Sequence, residues 1–299
     1  MKAAPFEYCR AADVDEACVW LAADDGARVI AGGQTLVPMM VMRLARPTRL
    51  IDINRIAALS YIRKETGPDG AGIAIGATTR QCTVERDALI AAELPLLAQA
   101  MPWIGHSATR ARGTVGGSLA NADPAAELPL IAVTLDATLS YRAGGKTRTM
   151  PAREFFVGAM NTALPEGACL TGVHFPIWHG EKIGTGFHEV NARRSDFAFV
   201  AAAAQVDFGA DGKCKRVAIG VGAATEFPMR LETAEKQLTG TTLDPKAVEV
   251  AVRDTLADIE PLSDLHASAA YRRRAAISLA IRAVADARER AQGKKAHAH

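Results

Sequence analysis

Apolar positions recur at helical spacing over residues 13–25, where Val14, Cys18, Val19 and Leu21 or Ala22 share a face. Asp13 stands where an N-terminal cap is expected, and Gly26 marks the end. Arg28 to Ala31 reads as a short strand, Gly32-Gly33 as a turn, the residues through about Met42 as a short helix, and Leu50 to Ile53 as a second strand. A helix between two strands implies a small parallel unit with a crossover. From Tyr61 to Ala77 the pattern predicts two strands around the turn Gly67-Pro68-Asp69-Gly70. Residues 82–101, rich in alanine and leucine, read as helical, and a strand is predicted within Leu130 to Tyr141. A turn at Ala143-Gly144-Gly145-Lys146 follows, then an alternating strand from Cys169 to Phe175 that ends at Pro176.

Pro176 to Lys182 marks a boundary. Beyond it, Gly186 to Val190, Phe199 to Phe208 and Arg216 to Val221 read as strands, the last two joined by Gly209-Ala210-Asp211-Gly212. Helical patterns cover roughly 231–238, 245–258 and 268–290. Strands followed by helices give an α+β order. The predicted organisation is a first domain over 1–176, divided near 56 into subdomains 1–56 and 57–176, a second domain over 177–290, and a tail over 291–299. A chain of 299 residues is long for one compact core, which fits this division.

Composition narrows the function classes. Hydrophobic residues make up 49% and charged residues 23%, as in ordinary globular proteins. No apolar run of about 18 residues exists to span a membrane. Acids and Pro5 stand near the N-terminus where a signal peptide needs an apolar segment, so a cytoplasmic location is expected. A formal net charge of +2, with no basic stretch interleaved with aromatics, argues against a nucleic-acid partner. Cys9, Cys18, Cys82, Cys169 and Cys214 lie far apart, without the pair spacing of a structural zinc or iron–sulfur site. No metal site is expected, and His297 and His299 read as part of the tail.

Two glycine pairs carry the chemistry. Ala31-Gly32-Gly33-Gln34-Thr35-Leu36 follows a strand, and its glycines would let backbone N–H groups point at an anion. It lacks the Gly-Lys-Ser/Thr ending of a P-loop and the three spaced glycines of a dinucleotide fingerprint. The second pair lies in Arg112-Gly113-Thr114-Val115-Gly116-Gly117-Ser118. Two clusters of unpaired N–H groups suit a ligand with two phosphates. Asp123 and Glu127, further on, offer acceptors suited to polyol hydroxyls, while Asp123 ahead of Pro124 also reads as a helix cap. No nucleophile motif is present, and His106, His174 and His188 each read as surface or packing residues. A chain built to hold a phosphorylated cofactor, with little acid–base machinery, fits a cofactor that brings its own chemistry.

The segments AGGQTLVPMMVMRLARPTRLIDINRI, IGHSATRARGTVGGSLANADPAAELP, FHEVNARRSDFAFVAAA and PLSDLHASAAYRRRAA together resemble the FAD-binding medium subunit of the molybdenum hydroxylases. That family includes xanthine dehydrogenase, aerobic carbon monoxide dehydrogenase and bacterial N-heterocycle and aldehyde dehydrogenases. The resemblance runs in order from about residue 3 to residue 290. It implies a vanillyl-alcohol-oxidase-like FAD domain, made of a small parallel subdomain and a larger mixed one, and then a C-terminal antiparallel sheet with helices. It implies that Ala31, Gly32, Gly33, Gln34, Thr35 and Leu36, with Thr114, Gly116, Gly117 and Ser118, hold the pyrophosphate of non-covalent FAD. Asp123 and Glu127 fall where the family binds the ribityl chain, Ile104 where a residue lines the cofactor, and Leu170 where a backbone meets the isoalloxazine. Phe197 aligns with an aromatic that covers one ring face in some relatives; a strand-core residue is the other reading. Where several relatives carry a lysine, this chain has Glu189, so that positive charge is not supplied there.

The activity implied is electron transfer. A large subunit with a molybdenum pterin cofactor would oxidise an aromatic heterocycle, aldehyde or similar substrate. A small subunit with two 2Fe–2S clusters would pass electrons to FAD here, and an external acceptor would remove them. The implied assembly is a heterotrimer, in some relatives doubled. A self-contained FAD-dependent reductase on the same fold is the alternative; it would need a proton donor beside the ring, and no such residue stands out.

Overall fold

The structure, a computed structural model, describes residues 2–67 and 70–293. Pro68 and Asp69 of the predicted turn lie outside the described residues, as do residues 294–299 of the predicted tail with His297 and His299.

The N-terminal unit runs β1 (Glu7–Arg10), α1 (Val14–Ala22), β2 (Arg28–Ile30), α2 (Leu36–Val41) and β3 (Arg49–Asp52). Its three strands lie in the order β1-β3-β2, and both pairings are parallel. The helix start follows from Asp13, whose carboxylate accepts from the Glu16 amide at 2.8 Å, while Glu16 reaches back to the Ala12 amide at 2.7 Å. The pattern did not announce β1. Its four residues, EYCR, are largely exposed and carry no apolar alternation.

The middle unit begins with the hairpin β4 (Ile62–Gly67) and β5 (Gly70–Gly76). Residues 82–101 do not form one helix. They divide into α3 (Gln81–Arg86), α4 (Ala88–Glu93) and α5 (Pro95–Ala100). Asp87 is extended and caps the Leu89 and Ile90 amides, and Pro95 opens a new helix because it cannot continue the old one. Next come α6 (Ser107–Arg112), α7 (Val115–Asn121) and α8 (Glu127–Thr134). The strand predicted within Leu130 to Tyr141 begins only at Thr138, and Leu130 to Thr134 before it is helical. Every residue of α8 is buried, so the helix has no polar face to betray its period. The strands β6 (Thr138–Ala143) and β7 (Lys146–Pro151), a turn of helix α9 (Ala152–Phe155), the small pair β8 (Phe156–Gly158) and β9 (Asn161–Thr162), and β10 (Cys169–Pro176) complete the unit. Its five-stranded sheet has the order β4-β5-β10-β6-β7 with every neighbour antiparallel.

The C-terminal unit is a four-stranded antiparallel sheet of β11 (Ile183–Val190), β12 (Val200–Phe208), β13 (Cys214–Gly222) and β14 (Met229–Arg230). Helices α10 (Glu232–Leu238), α11 (Pro245–Thr255) and α12 (Ala269–Ala291) follow. Both sheet faces are covered. Phe187, Ala201 and Ala203 join the middle unit's core with Leu97 and Leu128, whereas Ala202, Ala204 and Val206 pack with Ala276, Ala280 and Ala283 of α12. A Cβ on Gly184 or Gly186 would collide with the α12 carbonyls of Ala287 and Ala283, so these two glycines let the long helix lie directly on β11. The shared core fixes the β11–β12 connection over the middle unit, and that placement builds the site.

Candidate functional site

One cleft of about 1620 Å³ runs between the three units. Small-molecule pockets occupy roughly 300–1,000 Å³, so this one suits a large ligand. Its wall contains Ala31 to Leu36, Ile104, Thr114, Gly116, Gly117, Ser118, Asp123, Glu127, Leu170 and Phe197. Of the cofactor-binding residues implied by the resemblance, only Glu189 is not on the wall.

The first glycine loop presents a run of unpaired amides. Gly33 has φ +69°, a conformation that glycine adopts without strain. The amides of Gly32, Gly33, Gln34 and Thr35 donate to no acceptor among the described residues. Four successive free N–H groups around a left-handed residue make a concavity that attracts phosphate. Thr35 precedes α2 without a side-chain cap, so the first turn of that helix is also uncapped. The Gln34 side chain donates to the Gly32 carbonyl at 3.2 Å and so folds over its own loop.

The second loop differs from the expectation. Its amides are already used: Gly116 donates to the Ala77 carbonyl at 2.9 Å, Ser118 to the Thr114 carbonyl at 3.1 Å, and Gly117 to the Thr114 hydroxyl at 3.0 Å. Thr114 is the N-cap of α7 and takes the Gly117 donor, while the helix itself takes Ser118 and the contact with Ala77 takes Gly116. Of the two glycine loops, only the first presents a run of unpaired amides among the described residues. The glycines here serve close approach. A Cβ on Gly116 would lie 2.5 Å from the Ala77 Cβ, whereas one on Gly117 would meet only the Thr114 hydroxyl and otherwise project into open space.

The two loops stand back to back. A Cβ on Gly32 would come 2.6 Å from the Arg112 carbonyl oxygen and 2.8 Å from the Gly113 Cα. Two residues absent from the sequence reading hold them together. Asn54 donates to the Ala31 carbonyl and to Asp52, each at 2.8 Å. Arg80 donates to the Asn54 side-chain oxygen at 2.7 Å and to the Arg112 carbonyl. The Asn54 that closes β3 in IDIN is the only local signal; its link to Arg80 spans 26 positions. Nearby, Gln81 is 5% exposed and lines the cleft, and its Oε1 is unpartnered and packed against Gly113, where an added Cβ would lie 2.4 Å from it.

Asp123 does not cap a helix. Its carboxylate accepts from the Ala125 amide at 2.9 Å in a turn, and the helix begins at Glu127 with Ala126 as its N-cap. Glu127 is 9% exposed, lines the cleft, and has no side-chain partner. Burial raises its pKa to about 7, with the Asp123 charge adding to the effect. Glu189 points from the same strand face as Phe187 toward the middle unit. Burial and then the Glu127 charge raise its pKa to about 8. One of its oxygens accepts from Asn191 at 2.7 Å; the other is buried without a partner.

The far end of the cleft is closed by the β11–β12 connection. Phe199 donates to the Val190 carbonyl at 2.7 Å, and Ser195 turns the loop with φ 72°. Phe197 is 71% exposed at its tip, which excludes the strand-core reading. Leu170 lines the cleft beside a register shift between β10 and β6, where the ladder is locally broken. Arg272 of α12 anchors the region from below, donating to the carbonyls of Phe199 and Ala223 (2.8 Å for the latter) and to Asp264 at 2.5 Å. His266 stacks over Phe199 at 6.0 Å and 14°. His106 lines the cleft, whereas His174 is buried at 4% exposure away from it, and His188 meets Asp286 at 3.1 Å on the opposite face of β11.

Residues 4–178 match the family model for the FAD binding domain in molybdopterin dehydrogenase, and residues 185–287 match the CO dehydrogenase flavoprotein C-terminal domain. The chain is 36% identical to the 6-hydroxypseudooxynicotine dehydrogenase complex subunit alpha of Paenarthrobacter nicotinovorans, over 99% of this chain and 98% of that one. Among solved structures, a chain of carbon monoxide dehydrogenase from Hydrogenophaga pseudoflava superimposes with a TM-score of 0.92 at 32% identity, covering 97% of this chain and 99% of that one. A chain of quinoline 2-oxidoreductase from Pseudomonas putida 86 superimposes with a TM-score of 0.89 at 33% identity, covering 98% and 99%.

Proposed function

The chain belongs to the FAD-binding medium subunits of the molybdenum hydroxylases, and on that premise we propose how its own residues divide the work. It is the FAD-carrying electron-transfer subunit of a complex with a small iron–sulfur subunit and a large molybdenum subunit. Bound FAD supplies a carrier that accepts electrons from a one-electron donor and delivers them to an external acceptor. The large subunit oxidises the substrate, an aromatic heterocycle, aldehyde or similar small molecule.

The free amides of Gly32 to Thr35 receive the pyrophosphate. Leu36 and the loop from Thr114 to Ser118 shape the space beside it, with Gly117 leaving room where any side chain would intrude. Asp123 and Glu127 face the hydroxyl-bearing middle of the cofactor, and Ile104, Leu170 and Phe197 enclose its apolar ring. Glu189 acts from behind the wall. Residues 1–176 form the cofactor-holding part and residues 177–290 complete its ring end through the loop that carries Phe197. Five free thiols accord with a cytoplasmic location, and no helix among the described residues is long and apolar enough to cross a membrane.

The observation that carries this reading is the convergence of both glycine loops, Glu127 and Phe197 on one cleft beside four unpaired amides. Anaerobic addition of substrate to the purified complex should bleach the flavin absorbance, and the same addition to this subunit alone should not. Turnover by the isolated subunit would favour the self-contained reductase instead.

A further inference from the structure

The short helix α6 joins two stretches of the cleft wall, and α3 with the residues before it holds both ends. At the C-terminal end the joint is backbone. Gln81 donates to the Gly113 carbonyl and Val115 to the Thr79 carbonyl, each at 3.0 Å. At the N-terminal end the joint is a single side chain on each helix. Arg110 of α6 donates through Nε and Nη2 to the two carboxylate oxygens of Glu85 on α3, at 2.8 and 2.9 Å. Its Nη1 donates to the Ile104 and Gly105 carbonyls at 3.0 and 2.8 Å. Its own amide donates to the His106 carbonyl at 3.0 Å. Three successive carbonyls therefore converge on one arginine. The Arg110 side chain is 11% exposed and that of Glu85 22%, so the fork works largely out of water, where a charge-assisted two-bond pair fixes orientation well.

Ile104, Gly105 and His106 line the cleft, whereas Arg110 and Glu85 do not. Gly105 turns the chain at φ +47°. The amides of Gly105 and His106 donate to no acceptor among the described residues, so this piece of wall is held from its carbonyl side. The first glycine loop meets α6 at the other end, where Gly32 backs onto Arg112 and Gly113. The two ends of one short helix thus serve the two ends of the cleft.

We propose that Arg110, braced by Glu85, is a positioning residue for the flavin ring, setting the Ile104–His106 wall and through it the ring's reduction potential, an inference that rests on the FAD reading above. A protein tunes a flavin through the hydrogen bonds and charges it places around the ring. Without the guanidinium, the Ile104 and Gly105 carbonyls lose their donor, and a desolvated acceptor turns toward any space that offers relief. The cleft is that space. Carbonyl oxygens brought to the ring oppose its gain of electrons, so the potential falls. The amides of Gly32 to Thr35 are untouched, so the cofactor stays.

The test compares Arg110→Gln, Arg110→Lys and Glu85→Gln with Arg80→Ala, all in the assembled complex. Four quantities are read: flavin released on denaturation, the visible absorbance bands, the midpoint potential of the bound flavin, and the melting temperature. Arg110→Gln should keep its flavin, shift the bands and lower the potential. Arg110→Lys should do the same, because an ammonium keeps the charge but cannot reproduce the fork. Glu85→Gln should shift both in the same direction by less, and it decides the matter if Arg110→Gln does not assemble. Arg80→Ala should instead lose flavin and leave the spectrum of the remainder unchanged. Wild-type bands and potential in Arg110→Gln overturn the proposal. So does full recovery by Arg110→Lys, which would assign the effect to charge alone, and so does loss of flavin and melting temperature with no spectral shift, the mark of a merely structural residue. A wild-type complex that carries no flavin overturns the cofactor reading itself, before any variant is compared.

Discussion

Arg80 donates to the side-chain oxygen of Asn54 at 2.7 Å, and through this contact the two glycine loops become one object. Asn54 holds the Ala31 carbonyl and Arg80 holds the Arg112 carbonyl, so each loop is fixed at its edge by the same pair. A cradle of free amides binds an anion well only if the amides already point inward, because ordering them on binding would cost entropy. Asn54→Ala should therefore weaken FAD retention, and Arg80→Ala should weaken it by more, since a hydrogen bond to a charged donor contributes about 1.5–3 kcal/mol. The double variant should lose less than the sum, as expected for two members of one network. Equilibrium dialysis of FAD against the four proteins measures the coupling, and strict additivity would deny it.

Gly32 and Gly117 separate two uses of glycine. Gly32→Ala places a Cβ against the backbone of Arg112 and Gly113, which has no flexible end to move aside. It should cost about 1–3 kcal/mol in thermal stability as well as FAD. Gly117→Ala meets only the Thr114 hydroxyl that caps α7, so stability should fall by no more than a lost cap, about 0.5–2 kcal/mol, while FAD content falls. Melting temperature and released flavin, measured on both variants, distinguish the two cases. Equal loss of stability in both would show that Gly117 is a packing residue.

Arg272 is 4% exposed and satisfies two backbone carbonyls besides its carboxylate partner. Arg272→Met should orphan both carbonyls, each at about 1–3 kcal/mol, and loosen the loop that carries Phe197. Arg272→Lys should recover little, because an ammonium cannot reproduce the planar fork. Chemical denaturation of the complex reads the cost.

Asp264, the partner of Arg272, has its pKa lowered to about 2 by the amides of Ala267 and His266 and then by Arg272. A depressed carboxylate stabilises the fold above its unfolded value of about 3.9, and that contribution disappears as pH falls through the folded value. The stability gap between wild type and Asp264→Asn should be full near neutral pH and should close toward pH 2. A gap independent of pH would place the effect in packing alone.

Phe197, at 71% exposure, adds little to the core, so Phe197→Ala should leave stability within about 0.5 kcal/mol. Its loss should instead open one side of the ring pocket and shift the flavin absorbance bands. An unchanged spectrum would remove Phe197 from the cofactor's surroundings.

Much of this was legible in the chain. The strand–glycine–helix order of 28–42 gives the parallel unit, and strands then helices after Ile183 give the C-terminal unit. What escaped has physical causes. The alanine and leucine run over 82–101 hides its breaks at Asp87 and Pro95, where capping and a missing amide override helical propensity. The eight residues of α8 are buried all round, so their period is silent. Thr114 captures an amide that the glycine spacing left open, because side-chain capping is decided by local geometry. Asn54 and Arg80 meet across 26 positions, a distance that no motif spans.

The central claim is that this subunit carries FAD in the cleft beside Gly32 to Thr35. The most direct test is to purify the complex, denature it and quantify the flavin released. The account predicts one FAD for each copy of this chain, released without breaking a covalent bond, and close to none when Gly32 is replaced by valine. A complex that retains its partner subunits and releases no flavin would contradict it.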